Sequence, residues 1–419
     1  MLPNSDYSHK FFIVVRPMVQ CLSWLALSTL LFLSLWIVLP APNFFLLPLA
    51  VGAPEISPLL GGLGIVSLVL VLWLIASPSR MAIAVLLMVI ALNALPFSQQ
   101  PRAIALAEAS LQQAFAGSPE SQLSSSQSAR QRASIPAFSL INFFGGIPQT
   151  EVRHQAKIPF ASPAGDALFL DIYQPLAAGR YPAVMMVYGG GWRTGSSSEN
   201  EALGRFLAGR GYVVIAADYR HTPQHRFPAQ LEDVAAALAF VRDRADDYEI
   251  DRNRIALLGW SAGAQLAMLT GFYVPDSLSG QPIEPVQAVI SYYGPVDLAN
   301  GYRNPPQPDP LDVRQVLRAY LDGSPDEQPA AYAAASPITY VKAAAPETLP
   351  PVLLLYGGRD HIVEAKYGES LYGEILRSRN PAVWVKIPWA EHAFDKIFNG
   401  VGNQMALHFL ERFLAQTLL

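Results

Sequence analysis

Ile255-Ala-Leu-Leu-Gly-Trp-Ser-Ala-Gly-Ala264 is the stretch on which the reading of this chain turns. A short apolar run, strand-like in character, leads into a Gly-x-Ser-x-Gly pentad centred on Ser261, and residues 262–273 then read as a helix. A serine on a sharp strand-to-helix turn sits in strained backbone with its hydroxyl standing clear of the sheet. Small residues on either side let neighbouring backbone pass close by. A Gly/Ser turn without chemistry would show the same five letters, so the rest of the chain must supply partners.

A serine nucleophile needs a base to take its proton, an acid to orient the base, and donors for the oxyanion. Of the seven histidines, His361, His392 and His408 follow the pentad after a suitable acid. His408 falls in the final helical stretch. His361 adjoins the best acid candidate, and neighbouring side chains diverge. His392, in Trp389-Ala-Glu-His-Ala-Phe394, sits in a loop between a strand and a helix and is the candidate base. Asp360 follows the strand at 352–356 through Gly357-Gly-Arg359 and is the candidate acid; Asp297 and Glu391 are weaker alternatives. In Tyr188-Gly-Gly-Gly-Trp192 consecutive glycines leave backbone N–H groups unobstructed. Gly190 and Gly191, with Ala262, are the candidate oxyanion donors. No phosphate-cradle or metal-ligand spacing occurs, and no cofactor is expected.

Strand-like runs at 168–173, 183–188, 213–217, 255–258, 288–292, 352–356 and 383–387 alternate with helical ones at 200–210, 230–246, 262–273, 365–377 and 403–418. The strands are continuously apolar, which suits a mostly parallel sheet covered on both faces, that is, a doubly wound α/β domain.

The first hundred residues differ. The 419-residue chain is 51% hydrophobic and 15% charged, and it has no charged side chain between Arg16 and Glu55, between Glu55 and Arg80, or between Arg80 and Arg102. Residues 21–39, 58–76 and 81–97 are each apolar enough for a membrane span, with the Pro-rich stretch 40–54 expected as an interfacial loop. These spans carry no internal ionisable residue, so they read as an anchor. The balance of positive residues, Lys10, Arg16 and Arg80, places the N-terminus in the cytoplasm and everything after the third run on the other side. Three parts are expected: a membrane region over 1–100, a linker over 101–135 with a short amphipathic helix at 102–117, and a catalytic domain over 136–419. The net charge of -4 and the lack of a basic tract exclude nucleic acid as a partner. The one cysteine, Cys21, rules out a disulfide within the chain.

Together the motifs Leu170-Asp-Ile-Tyr-Gln-Pro175, Tyr188-Gly-Gly-Gly-Trp192, Asp218-Tyr-Arg220, Phe227-Pro-Ala229 with Asp233, Gly259-Trp-Ser-Ala-Gly263, Tyr293-Gly-Pro295, Ser336-Pro337, Gly357-Gly-Arg-Asp360 and His392-Ala-Phe394 resemble the α/β-hydrolase superfamily. The likeness is to its esterase/lipase branch, hormone-sensitive-lipase-like and BD-FAE-like esterases, from about Glu151 onward. The resemblance implies Ser261 as nucleophile, Asp360 as acid, His392 as base, and oxyanion N–H groups from Gly190, Gly191 and Ala262. It also implies a small cap over 296–339 and a small-molecule or lipid ester as substrate. The family usually has a histidine where Tyr188 stands, which implies altered loop support rather than lost activity. Trp260 leans the likeness toward the BD-FAE-like side. Amide-directed hydrolysis and a silent hydrolase fold used for binding at the membrane are the alternatives.

Overall fold

In the computed structural model, which describes residues 5–75, 77–116, 135–272 and 275–419, one sheet organises the C-terminal two thirds. Its strands are β1 (Val152–Ala161), β2 (Leu168–Pro175), β3 (Tyr181–Val187), β4 (Val213–Ala217), β5 (Ile250–Trp260), β6 (Ala288–Tyr292), β7 (Val352–Gly357) and β8 (Ala382–Ile387). They lie in the order β1-β2-β4-β3-β5-β6-β7-β8. β1–β2 and β2–β4 are antiparallel and every other pair is parallel. The central strands β3 to β7 are buried almost throughout, as their unbroken apolar sequence requires, because helices cover both faces. The expected strands and helices all appear. β1 is an addition, a largely exposed, irregular edge strand with no apolar run to announce it.

Between β6 and β7 four short helices, Leu298–Arg303, Val313–Leu321, Pro329–Ala334 and Pro337–Ala343, form the cap. Val316, Leu317, Tyr320 and Leu321 turn the buried stripe of the second onto the domain.

Among the described residues four long or apolar helices, α1 (Ser5–Leu35), α2 (Leu47–Glu55), α3 (Ser57–Leu74) and α4 (Arg80–Ala114), and a short one at Leu140–Gly145 precede the sheet. Among the described residues α3 and α4 are long and apolar enough to cross a membrane, and Gln20–Leu35 is a shorter apolar stretch. α3 leaves Val66, Val69, Leu72 and Trp73 exposed. On its other side a Cβ at Gly64 would lie 2.9 Å from Val89 of α4, the close approach that small residues give apolar helices. Asn93 of α4 donates to Ser34 of α1 at 2.8 Å, and both are buried.

Two expectations need correction. The Pro-rich stretch 40–54 is not simply a loop: α2 occupies much of it, with a proline in its first turn, where the missing N–H is no loss. The third apolar run and the amphipathic segment are one helix, because α4 runs unbroken through Pro96 and Pro101. At about 1.5 Å per residue it is roughly 52 Å long, well over the ~30 Å of hydrocarbon in a bilayer. Its far half joins the main core through Ala103, Ala107 and Leu111. There Ser110 Oγ accepts the Trp384 N–H of edge strand β8 at 2.8 Å, and Glu108 pairs with Arg412. The core therefore begins earlier in the chain than residue 136. The Ser-rich linker at 118–133 lies outside the described residues.

Candidate active site

β5 ends at Trp260 and helix α5 (Ala262–Gly271) begins at once. The turn between them forces Ser261 to φ 50°, ψ -120°, a sparsely populated region for a residue with a side chain. The flanking glycines are required by close approach. A Cβ at Gly263 would lie 2.2 Å from the carbonyl oxygens of Val187 and Tyr188, and one at Gly259 would lie 2.3 Å from Gly263 O. The Ser261 N–H donates to Tyr292 O at 2.9 Å, tying the turn to the end of β6.

Three of the residues singled out above stand in a row. His392 Nε2 is 3.0 Å from Ser261 Oγ, and His392 Nδ1 is 2.7 Å from Asp360 Oδ2. The other carboxylate oxygen, Oδ1, accepts the N–H groups of Ile362 at 2.8 Å and Val363 at 2.7 Å. Asp360 and His392 are 4% and 6% exposed, so the carboxylate meets His392 with little competition from water. Burial pushes the Asp360 carboxyl pKa up, while His392 and the Val363 N–H pull it back. With Nδ1–H donated to Asp360, Nε2 is left free to accept the serine proton.

Gly190 and Gly191 follow β3 with positive φ, 127° and 60°, and Gly191 lines a small apolar recess of about 60 Å³ with Ser261 and Ala262. The Ala262 N–H lies in the first turn of α5, where no intrahelical acceptor exists. The cap residues Leu298 and Leu317 and the aromatic Trp192 close the recess. Trp192 stacks on Tyr320 at 4.0 Å and donates its indole N–H to Gln265 at 3.0 Å, which clamps cap, glycine loop and α5 together.

Tyr188 is buried against Tyr219, ring to ring at 4.4 Å. Its hydroxyl lies 3.2 Å from Tyr219 O and 2.9 Å from His221 Nε2, so it supports the glycine loop through hydrogen bonds. Asp218, Arg220 and Asp233 hold neighbouring loops: Asp218 accepts the Ser197 N–H at 2.6 Å, and Arg220 pairs with Asp233 at 2.8 Å.

The alternative histidines and acids lie elsewhere. His361 Nδ1 pairs with Glu391 at 2.6 Å, and that hydrogen bond raises the His361 pKa. Glu391 Oε1 also accepts the N–H groups of His361 at 2.6 Å and His392 at 3.0 Å. Glu391 thus braces the two loops that carry Asp360 and His392. His408 faces Ile135 O and Glu108, and Asp297 caps the first cap helix. Sequence reasoning missed Tyr293. Its ring lies 4.4 Å from His392 and its hydroxyl bonds Asp395; the Tyr293-Gly-Pro295 motif was the available signal.

An eight-stranded, mostly parallel sheet with a serine on its strand-to-helix turn, a histidine after the last strand and a carboxylate after β7 defines the α/β-hydrolase class. The chain belongs to the esterase family of that class. Residues 170–375 match BD-FAE. Esterase LipC of Mycobacterium tuberculosis is 32% identical over 282 residues, 65% of this chain and 67% of LipC. The probable carboxylic ester hydrolase LipM of the same organism is 28% identical over 278 residues, 64% of this chain and 62% of LipM. About a third of each relative therefore lies outside the match. The thermophilic esterase Est2 of Thermogutta terrifontis, solved with propionate bound, superposes with a TM-score of 0.50 at 25% identity, covering 64% of this chain and 94% of that one.

Proposed function

We propose that this protein is a membrane-anchored serine hydrolase that cleaves carboxylic esters through an acyl-enzyme. The row Ser261 Oγ, His392 Nε2, His392 Nδ1, Asp360 Oδ2, with spacings of 3.0 and 2.7 Å, carries the reading. Ser261 Oγ attacks the ester carbonyl carbon as Nε2 takes its proton. Asp360 holds the ring and stabilises the imidazolium. The carbonyl oxygen becomes an oxyanion facing the N–H groups of Gly190, Gly191 and Ala262. Collapse expels the alcohol, which receives the proton from Nε2. Water, deprotonated by His392, then attacks the acyl-enzyme and releases the acid and free Ser261. The esterase relatives support the reaction class.

The anchor is α1, α3 and the first half of α4. α2, between α1 and α3, lies against the catalytic domain, and the turn at Arg80 lies at the opposite ends of α3 and α4. That arrangement suits three crossings with the catalytic domain on the non-cytoplasmic side, as the distribution of Lys and Arg implies.

The test uses full-length protein and Ser261→Ala with a fluorophosphonate and p-nitrophenyl esters. Labelling and turnover that both vanish in the variant are expected. A folded wild type that neither labels nor turns over any ester would favour the silent binding module.

A further inference from the structure

The apolar segment between the long helices α1 and α3, which includes α2, does more than join them. A cavity of about 780 Å³ opens on Ser261 and His392, and one of its walls is Phe44, Leu47, Pro48 and Val51. Leu311 from the cap and Ile397 from the loop after His392 continue the lining. Of the charged side chains at its border, Lys396 and Glu199 pair with each other at 3.1 Å, and Arg193 is the third. The volume lies in the upper part of the usual range for ligand sites, about 300–1,000 Å³. It dwarfs the recess of about 60 Å³ beneath the cap.

The wall is held in place. Glu55, the last residue of α2 (Leu47–Glu55), is fully buried and accepts the Gly402 N–H at 2.7 Å. Gly402 lies in the first turn of the closing helix α6 (Val401–Thr417), a helix end that favours a carboxylate. The seat is cut to fit: a Cβ at Gly400 would lie 2.3 Å from Glu55 Oε2, and one at Gly402 2.5 Å from Oε1. At the other end of the segment Phe44 and Phe45 are 63% and 87% exposed, apolar rings of the kind that an interfacial segment buries at a membrane surface.

Resting on the serine-hydrolase reading above, we propose that this inter-helix segment is a wall of the substrate site and that the preferred substrate is an ester with a long, unbranched hydrocarbon chain lying along it. A short acyl group would leave most of an apolar cavity empty, whereas a long chain removes its own surface and the wall's from water together. A wall that begins where two apolar helices end also puts the cavity at the membrane surface, where such esters partition.

Full-length protein in one detergent is assayed with p-nitrophenyl butyrate and palmitate, as wild type and as Val51→Trp, which projects an indole from the wall into the cavity. The palmitate-to-butyrate ratio of kcat/KM should fall tenfold or more in the variant; an unchanged ratio overturns the proposal. A second measurement needs no variant. A fluorophosphonate with a sixteen-carbon chain and a diazirine near its end is attached to Ser261 of the wild type and irradiated. Crosslinks within residues 44–52 support the proposal, and crosslinks confined to the cap overturn it. Failure of that probe and of short-chain fluorophosphonates to label Ser261 overturns the serine-hydrolase reading itself.

Discussion

Replacing Glu55 with Gln should stabilise this protein at alkaline pH and leave it unchanged at acid pH. Burial pushes the Glu55 carboxyl from 4.5 up to about 8; Asp395 adds to the rise, and the N–H groups of Gly402 and Asn403 oppose it. A carboxyl whose folded pKa is raised contributes its full stability below the unfolded value, here pH 4.5. That contribution is lost as pH climbs toward 8, at about 1.4 kcal/mol per unit. The cumulative penalty is roughly 4 kcal/mol at pH 8 and under about 1 kcal/mol at pH 5. Gln keeps a carbonyl for the Gly402 N–H and cannot ionise. Its amide would stand where Oε1 now stands without a hydrogen-bond partner among the described residues, as the protonated acid's hydroxyl does, so Gln mimics the acid form. At roughly 2 °C or less per kcal/mol for a chain of this size, melting of the full-length protein in detergent should show E55Q several degrees above wild type at pH 8 and level with it at pH 5. A difference that ignores pH, or a wild type that is the more stable at pH 8, refutes the reasoning.

Asp360→Asn, which keeps the shape but reverses the hydrogen-bond polarity toward His392 Nδ1, should lower kcat on a short ester by about 10⁴-fold; a loss under tenfold would remove Asp360 from the role. Gly263→Ala places a methyl 2.2 Å from two carbonyl oxygens of β3 and the loop after it. It should yield no folded protein in detergent, and a wild-type melting temperature would contradict the crossing described here. Tyr188→Phe removes the hydroxyl that links Tyr219 and His221 while keeping the stacked ring. A cost of about 1–3 kcal/mol is expected, read as a lower denaturation midpoint, with ester turnover reduced far less than in D360N.

The sheet and the Ser261, Asp360 and His392 trio were legible because their signals are local. Unbroken apolar runs mark buried parallel strands, and each of the three residues follows such a run, at the edge of the sheet where the carboxyl ends of β5, β7 and β8 lie. Spacing favoured His392 over His361 and Asp360 over Glu391, because side chains of adjacent residues diverge. The structure separates them by pairing His361 with Glu391 and leaving Asp360 to His392.

By itself, the sequence determined the class of fold, the strand-to-helix turn at Ser261 and the apolar character of the first hundred residues, since each depends on short-range pattern and steric need. Only the tertiary structure decided what the prolines and Glu55 do. Pro40 to Pro54 reads as a broken stretch, yet α2 forms because its core side, Leu47, Ala50 and Ala53, finds apolar partners. Pro96 and Pro101 read as stops, yet α4 continues because one half packs on neighbouring apolar helices and the other on the sheet. Glu55 reads as a lone charge among hydrophobic residues. It is buried because two glycines, nearly 350 positions later, leave a carboxyl-sized space at a helix end. Contacts of that range are absent from any window of sequence, since they join segments nearly 350 residues apart.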